Sequence, residues 1–228
     1  MSHPEESDLP DQIPVPEVAV GPIEPVKPDP VPFDRAFLQG TFLRPHRLLE
    51  VVLSERERLV ANVARNEHLL HITLLMAAGS VLFALPYGAV LGIERMWDVA
   101  WVYVGSAAIC FPCLQVFSAY LGVKINLLQN LILALTVTSA AALFCFGFFP
   151  ILWFLDRTMD DGRAAITIQH ISIGLLTVAL VMGLSQLNRC LFLDKALRKL
   201  RSNPLLLTLW QGLLVFITYR MAVVLQLV

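Results

Sequence analysis

The chain has 228 residues, 57% of them hydrophobic and 15% charged, with a formal net charge of −1. A soluble domain carries about 25% charged residues. Here charge is also kept out of whole segments: none of the 18 Asp and Glu residues, and only Arg220 of the 17 Lys and Arg residues, falls inside a long apolar run. This excludes an ordinary water-soluble globular fold and indicates membrane-spanning helices.

Residues 1–33 contain nine prolines and seven acidic residues, with Lys27 the only Lys or Arg. Proline removes backbone donors, and so few large apolar side chains give little to bury. The expectation is a disordered cytosolic tail, extended through "PVKPDPVPF". That stretch reads either as a solvated tail or as a docking segment for a protein partner. The start is acidic rather than basic and then apolar, so no cleavable signal peptide is expected and the first apolar run directs insertion.

Residues 34–68 change character. In "RPHRLLEVVLSERERLVANVARNEH", Leu48, Val52, Leu59 and Val63 recur at helical intervals among arginines and glutamates. The pattern predicts an amphipathic juxtamembrane helix running into the first span. Its arginines suit anionic lipid head groups; a helix packed on the protein's own cytosolic side explains the same residues.

Residues 69–228 are expected to form a five-helix transmembrane domain, an all-α polytopic bundle. The spans are predicted at about 69–91, 99–121, 127–155, 166–187 and 204–228, each near or above the roughly 20 residues that a bilayer core requires. The third is long enough to tilt or bend. Between the last two, residues 187–203 carry an apolar stripe of Leu187, Cys190, Leu193, Leu197 and Leu200, with Lys195, Arg198, Lys199 and Arg201 mostly off it. This basic amphipathic segment is either a surface helix or a continuation of span four.

Basic residues set the orientation. Arg35, Arg44, Arg47, Arg56, Arg58, Arg65, Lys124, Arg189, Lys195, Arg198, Lys199 and Arg201 share one side, against Arg95, Arg157 and Arg163 on the other. The positive-inside rule gives N-in and C-out. Tyr87, Trp97, Trp101, Trp153 and Tyr219 then fall near the outer interface, where amphipathic rings settle.

The motif that invites chemistry is "CFPC". Cys110 and Cys113 sit about one helical turn apart in the middle of span two. A thiol reacts as thiolate, which hydrocarbon solvates poorly, and Cys145 and Cys190 complete no metal site. Packing is the expected role. Pro112 and Pro86 each remove a helical hydrogen bond and are expected to kink their spans. Arg220, about 24 Å along the last span, is placed to snorkel to the outer boundary. Gln115, Gln129, Asn130, Gln169, His170 and Gln186 suit hydrogen bonds between helices. The small residues of "LTVTSAAAL" and "VGSAAIC" suit close helix approach. Asp156, Asp160 and Asp161 in "DRTMDDGR" match no calcium loop spacing. No carboxylate lies in any span, and no phosphate-binding loop or nucleophile elbow appears. No catalytic, cofactor-binding or metal-site residue is therefore assigned.

"CFPCLQVFSAYLGVKINLLQNLILALTVTSAAALFCFGFFPILWFL" resembles a large group of bacterial five-span membrane proteins. These share a Cys/Pro-containing second span and a third span closing on an aromatic-proline patch, here Phe148, Phe149 and Pro150. The last span, "LLLTLWQGLLVFITYRMAVVL", resembles the group's closing helix, which carries a Trp, then a Phe and a Gln-Met pair; here these are Trp210, Phe216 and Arg220-Met221. The resemblance runs from about Leu69 to Leu225. The group is similar in layout to the Yip-type domain, whose eukaryotic members have a cytosolic N-terminus, five spans and roles in vesicle trafficking through small GTPases. This chain departs from the group where those proteins continue with "W-x-L-R-P-F", so any role of that motif is not carried over.

The resemblance implies a non-catalytic protein of the bacterial cytoplasmic membrane, acting as a scaffold or interaction partner. A small transporter or channel subunit using the Pro86 and Pro112 kinks is the alternative, and a membrane enzyme the second alternative. Expected partners are the bilayer, anionic head groups at the basic helices and a protein at the tail, with no nucleic acid and no cofactor.

Overall fold

The computed structural model describes residues 33–42, 44–122, 125–159, 164–193, 204–225 and 227. The tail over residues 1–32, the basic stretch over 194–203, Lys124 and the aspartates at 160 and 161 lie outside the described residues. Among the described residues the chain is helical: α1 (Arg35–Phe42), α2 (Pro45–Leu53), α3 (Arg56–Arg65), α4 (Leu69–Leu91), a 3-10 turn (Ile93–Arg95), α5 (Met96–Tyr120), α6 (Leu127–Thr158), α7 (Ala164–Leu193) and α8 (Pro204–Val224). Five of these, α4 to α8, contain stretches long and apolar enough to cross a membrane. The protein is an all-α, multi-pass membrane bundle.

α4 has its expected bounds and α8 stops at Val224, while the other three run past an expected end. α5 begins at Met96 rather than near residue 99, α6 ends at Thr158 rather than 155, and α7 runs from Ala164 to Leu193 rather than over 166–187. A helix continues past the lipid boundary wherever its backbone bonds are satisfied, whereas the sequence estimate stops at the first charge. Residues 187–193 are thus a continuation of span four, one of the two readings of that segment. The helices also pass Pro86, Pro112 and Pro150 without interruption.

The expected juxtamembrane helix is corrected. Residues 34–68 do not form a single helix running into the first span but three short helices. Pro45 forces the first break, because the residue before proline is driven out of helical geometry: Arg44 is extended at φ −131°, ψ 92°, and Pro45 starts α2. A second break falls at Ser54 and Glu55. The third is a left-handed ending: Asn66 has φ 59°, and the Glu67 N–H reaches back to the Asn62 carbonyl at 3.1 Å. This Schellman-type closure and a second left-handed residue, His68 at φ 53°, separate α3 from α4.

The three helices pack on the bundle. α1 lies on α4, α2 on α4 and α6, and α3 on α7. Leu38, Leu48, Val51, Val52, Leu59, Val60 and Val63 are buried there. Phe33, expected as the last residue of the tail, is instead buried. Its N–H donates to Asn62 Oδ1 at 2.7 Å, its ring stacks on Phe37, and the Arg58 guanidinium lies 4.6 Å from the ring centroid. The end of the bundle that carries α1 to α3 is termed the capped end below, and the opposite one the far end.

α6 is the central helix, packed against α4, α5 and α7. Every residue from Ile132 to Leu143 is buried, the condition of a helix apolar all round. α8 is the opposite case. In the most apolar 18-residue window, 72% of α6 is buried against 22% of α8, which packs mainly on α5. Small residues set the close approaches: a Cβ at Gly183 of α7 would collide with the Val137 carbonyl of α6.

Candidate functional site

The polar groups inside the bundle fall at three levels. At the capped end, Gln129 joins two elements: its Oε1 accepts from the Asn126 N–H at 2.7 Å, and its Nε2 donates to the Val63 carbonyl. The first bond is half of a capping box written as Asn126-x-x-Gln129. Asn130 Nδ2 donates to Gln115 Oε1, and Asn130 Oδ1 accepts from Ser118 at 3.2 Å. These amides do bond between helices, as expected of them.

Midway, Ser80 Oγ lies 3.1 Å from Thr138 Oγ1 and 3.0 Å from Ser139 Oγ. Both serines also donate to the Met76 carbonyl, at 2.9 and 2.6 Å. The small residues of "LTVTSAAAL" thus let α4 and α6 approach and also supply the bonds between them.

Toward the far end, Tyr87 donates to the Ser172 carbonyl at 2.8 Å, tying α4 to α7. Tyr87 was expected at the lipid interface, and this is corrected: it is fully buried, whereas Trp97, Trp101, Trp153 and Tyr219 are exposed. A tyrosine near a span end has two ways to satisfy its hydroxyl, water or a neighbouring helix, and small Ser172 makes room for the second. Tyr103 Oη lies 3.1 Å from Cys145 Sγ and 3.4 Å from the Leu176 carbonyl, linking α5, α6 and α7.

The cysteines do not converge. All four are free; Cys110, Cys145 and Cys190 are buried and Cys113 is half-buried. The nearest thing to a role for "CFPC" is in its backbone. Trp210 Nε1 of α8 donates to the Cys110 carbonyl at 3.1 Å, two residues before Pro112. Gln211 Nε2 adds a bond to Asn188 Oδ1 at 2.8 Å. The peripheral last helix is therefore fastened to α5 and α7 in its first half.

Asp156, His170 and Arg220 are exposed, Gln169 and Gln186 half-buried. Among the described residues, no three His, Cys, Asp or Glu side chains group as metal ligands. The buried polar side chains described are hydroxyls and amides, and each buried nitrogen or oxygen has a partner. Chemically, such an arrangement joins helices; it presents no unpaired group to a substrate.

Compared with protein families, curated proteins and solved structures, the chain matches none. Sequence reasoning missed Tyr103, Asn62 and Gly183. Tyr103 had a usable signal, a hydroxyl deep in an apolar run that needs a partner; Asn62 and Gly183 had none, because their roles depend on distant helices.

Proposed function

We propose that the chain is a non-catalytic, Yip-like protein of the bacterial cytoplasmic membrane that serves as a scaffold or interaction partner, its capped end in the cytosol. The observation that carries this reading is the filled interior: α6 is buried all round along its middle, and among the described residues each buried side-chain nitrogen or oxygen already has a partner, on its own helix or on a neighbouring one. Binding energy invested in a rigid bundle leaves partner recognition to its cytosolic attachments. These are α1 to α3, anchored through Phe33, and the acidic proline-rich stretch that precedes them. The positive-inside asymmetry supports the orientation.

Crosslinking in native membranes, followed by purification of the full chain and of one lacking residues 1–32, tests the proposal. A partner captured by the full chain and diminished by the truncation is expected. Recovery of none from either counts against a scaffold. Water-accessible cysteines introduced deep in α5 would favour the transporter alternative instead.

A further inference from the structure

We propose that Arg220, with Tyr219 and Trp101, binds the phosphate of one phospholipid in the leaflet at the far end. The depth of Arg220 comes first. Met221 of α8 touches α5 at Gly105, where an added Cβ would lie 2.9 Å from Met221 Cε. Gly105 is nine residues beyond Met96, the start of α5, which is about 13 Å along the axis. Arg220 adjoins this contact, so its backbone lies about two turns inside the far end of α5. The length of α8 agrees: Arg220 is about 24 Å from Pro204, in a bilayer core about 30 Å thick.

The side chains at this level are donors in want of an acceptor. Tyr219 and Arg220 are exposed on α8, and Trp101, one turn before Gly105 on α5, is exposed as well. Among the described residues, none of the three has a hydrogen bond or an ion pair. A guanidinium is always charged and, like an indole N–H, only donates. The chain supplies no anion at this depth: none of its 18 Asp and Glu residues lies in an apolar run. Asp98 of α5, about 10 Å nearer the far end than Gly105, does not pair with Arg220. A second copy has the same lack, and an apolar helix or an acyl chain would leave the charge unpaired in hydrocarbon. Free phosphate would have to shed its water to descend below the head groups. A lipid phosphate is already tethered there by its acyl chains. Its single negative charge balances one guanidinium, and its paired oxygens fit the guanidinium fork.

The test titrates phosphatidylglycerol, whose phosphate has no cation beside it, into detergent micelles holding the full chain, and counts the lipids retained per chain by native mass spectrometry. Arg220→Gln is expected to lower the count by one, with about tenfold more lipid needed to restore it. Arg95→Gln, in the exposed 3-10 turn at the same end, should leave the count unchanged, and inorganic phosphate should displace nothing. Should Arg220→Gln not fold, Tyr219→Phe combined with Trp101→Phe must weaken retention of the same lipid. A count in Arg220→Gln equal to that of the wild-type chain overturns the proposal. An equal loss in Arg95→Gln overturns it too, as an effect of overall charge. Displacement by inorganic phosphate, or a wild-type dimer that retains no more lipid than Arg220→Gln, would assign the site to a soluble anion or to a second copy and so overturn it.

Discussion

Leu48 of α2 lies directly over Gly79 of α4: a Cβ at position 79 would fall 2.8 Å from Leu48 Cδ2. Gly79 is ten residues into α4, about 15 Å along its axis. The segment ahead of the first span therefore reaches from the capped end along the side of the bundle as far as Gly79. Leu48→Ala is expected to lower stability by about 2–5 kcal/mol. Gly79→Leu overfills the contact, and in the Leu48→Ala background its penalty shrinks, a coupling readable in a double-mutant cycle. Purely additive effects in a detergent unfolding titration would mean the contact is not made.

The Gly183 contact is harsher, because it faces backbone. The Val137 carbonyl cannot rotate away as a leucine side chain can. Gly183→Ala is predicted to cost about 1–3 kcal/mol through strain between α6 and α7. Gly212→Ala is the control: its position faces open space and the same titration should register no loss.

The far-end hydroxyls predict a matched pair. Tyr87→Phe and Tyr103→Phe keep the ring and remove the bonds to Ser172 and Cys145. Each should lower stability by about 0.6–2 kcal/mol, the range for hydrogen bonds between membrane helices. Trp97→Phe, at an exposed ring, should leave the bundle's unfolding midpoint unchanged.

Trp210 combines a bond with a volume. Trp210→Phe removes the donor to the Cys110 carbonyl and part of the buried ring, and should cost about 1–3 kcal/mol. Trp210→Ala also empties a fully buried site and should cost about 3–5 kcal/mol. Proteolysis between α7 and α8 should then release α8 from the rest more readily than in the wild-type chain.

The thiols give a test of the filled interior. Cys110, Cys145 and Cys190 are buried, so a water-soluble maleimide should not label them in intact vesicles and should label them after SDS. Cys110→Ala with Cys113→Ala should leave the fold intact, since Trp210 bonds the backbone of position 110 and not its sulfur.

The spans were legible in the sequence because exclusion of charge from twenty residues has one physical cause. Their neighbours were not. α6 and α8 are apolar on every face, so no periodicity distinguishes the central helix from the peripheral one. Tyr87 and Trp97 look alike at span ends, yet one turns to Ser172 and the other to lipid. Pro45 announced the break before α2, whereas the left-handed pair Asn66 and His68 carries no comparable signal. The candidate site was legible as residue types, Gln129 and Asn130 above all, but their partners lie on other helices and had to be read from the packing.

Sidedness is the most direct check. Five crossings place the two ends of this chain on opposite faces, so a reporter of cytosolic location joined at Met1 should be active while the same reporter joined after Val228 is silent, and a periplasmic reporter should give the reverse. Activity of the same reporter at both ends would contradict five spans and the account built on them.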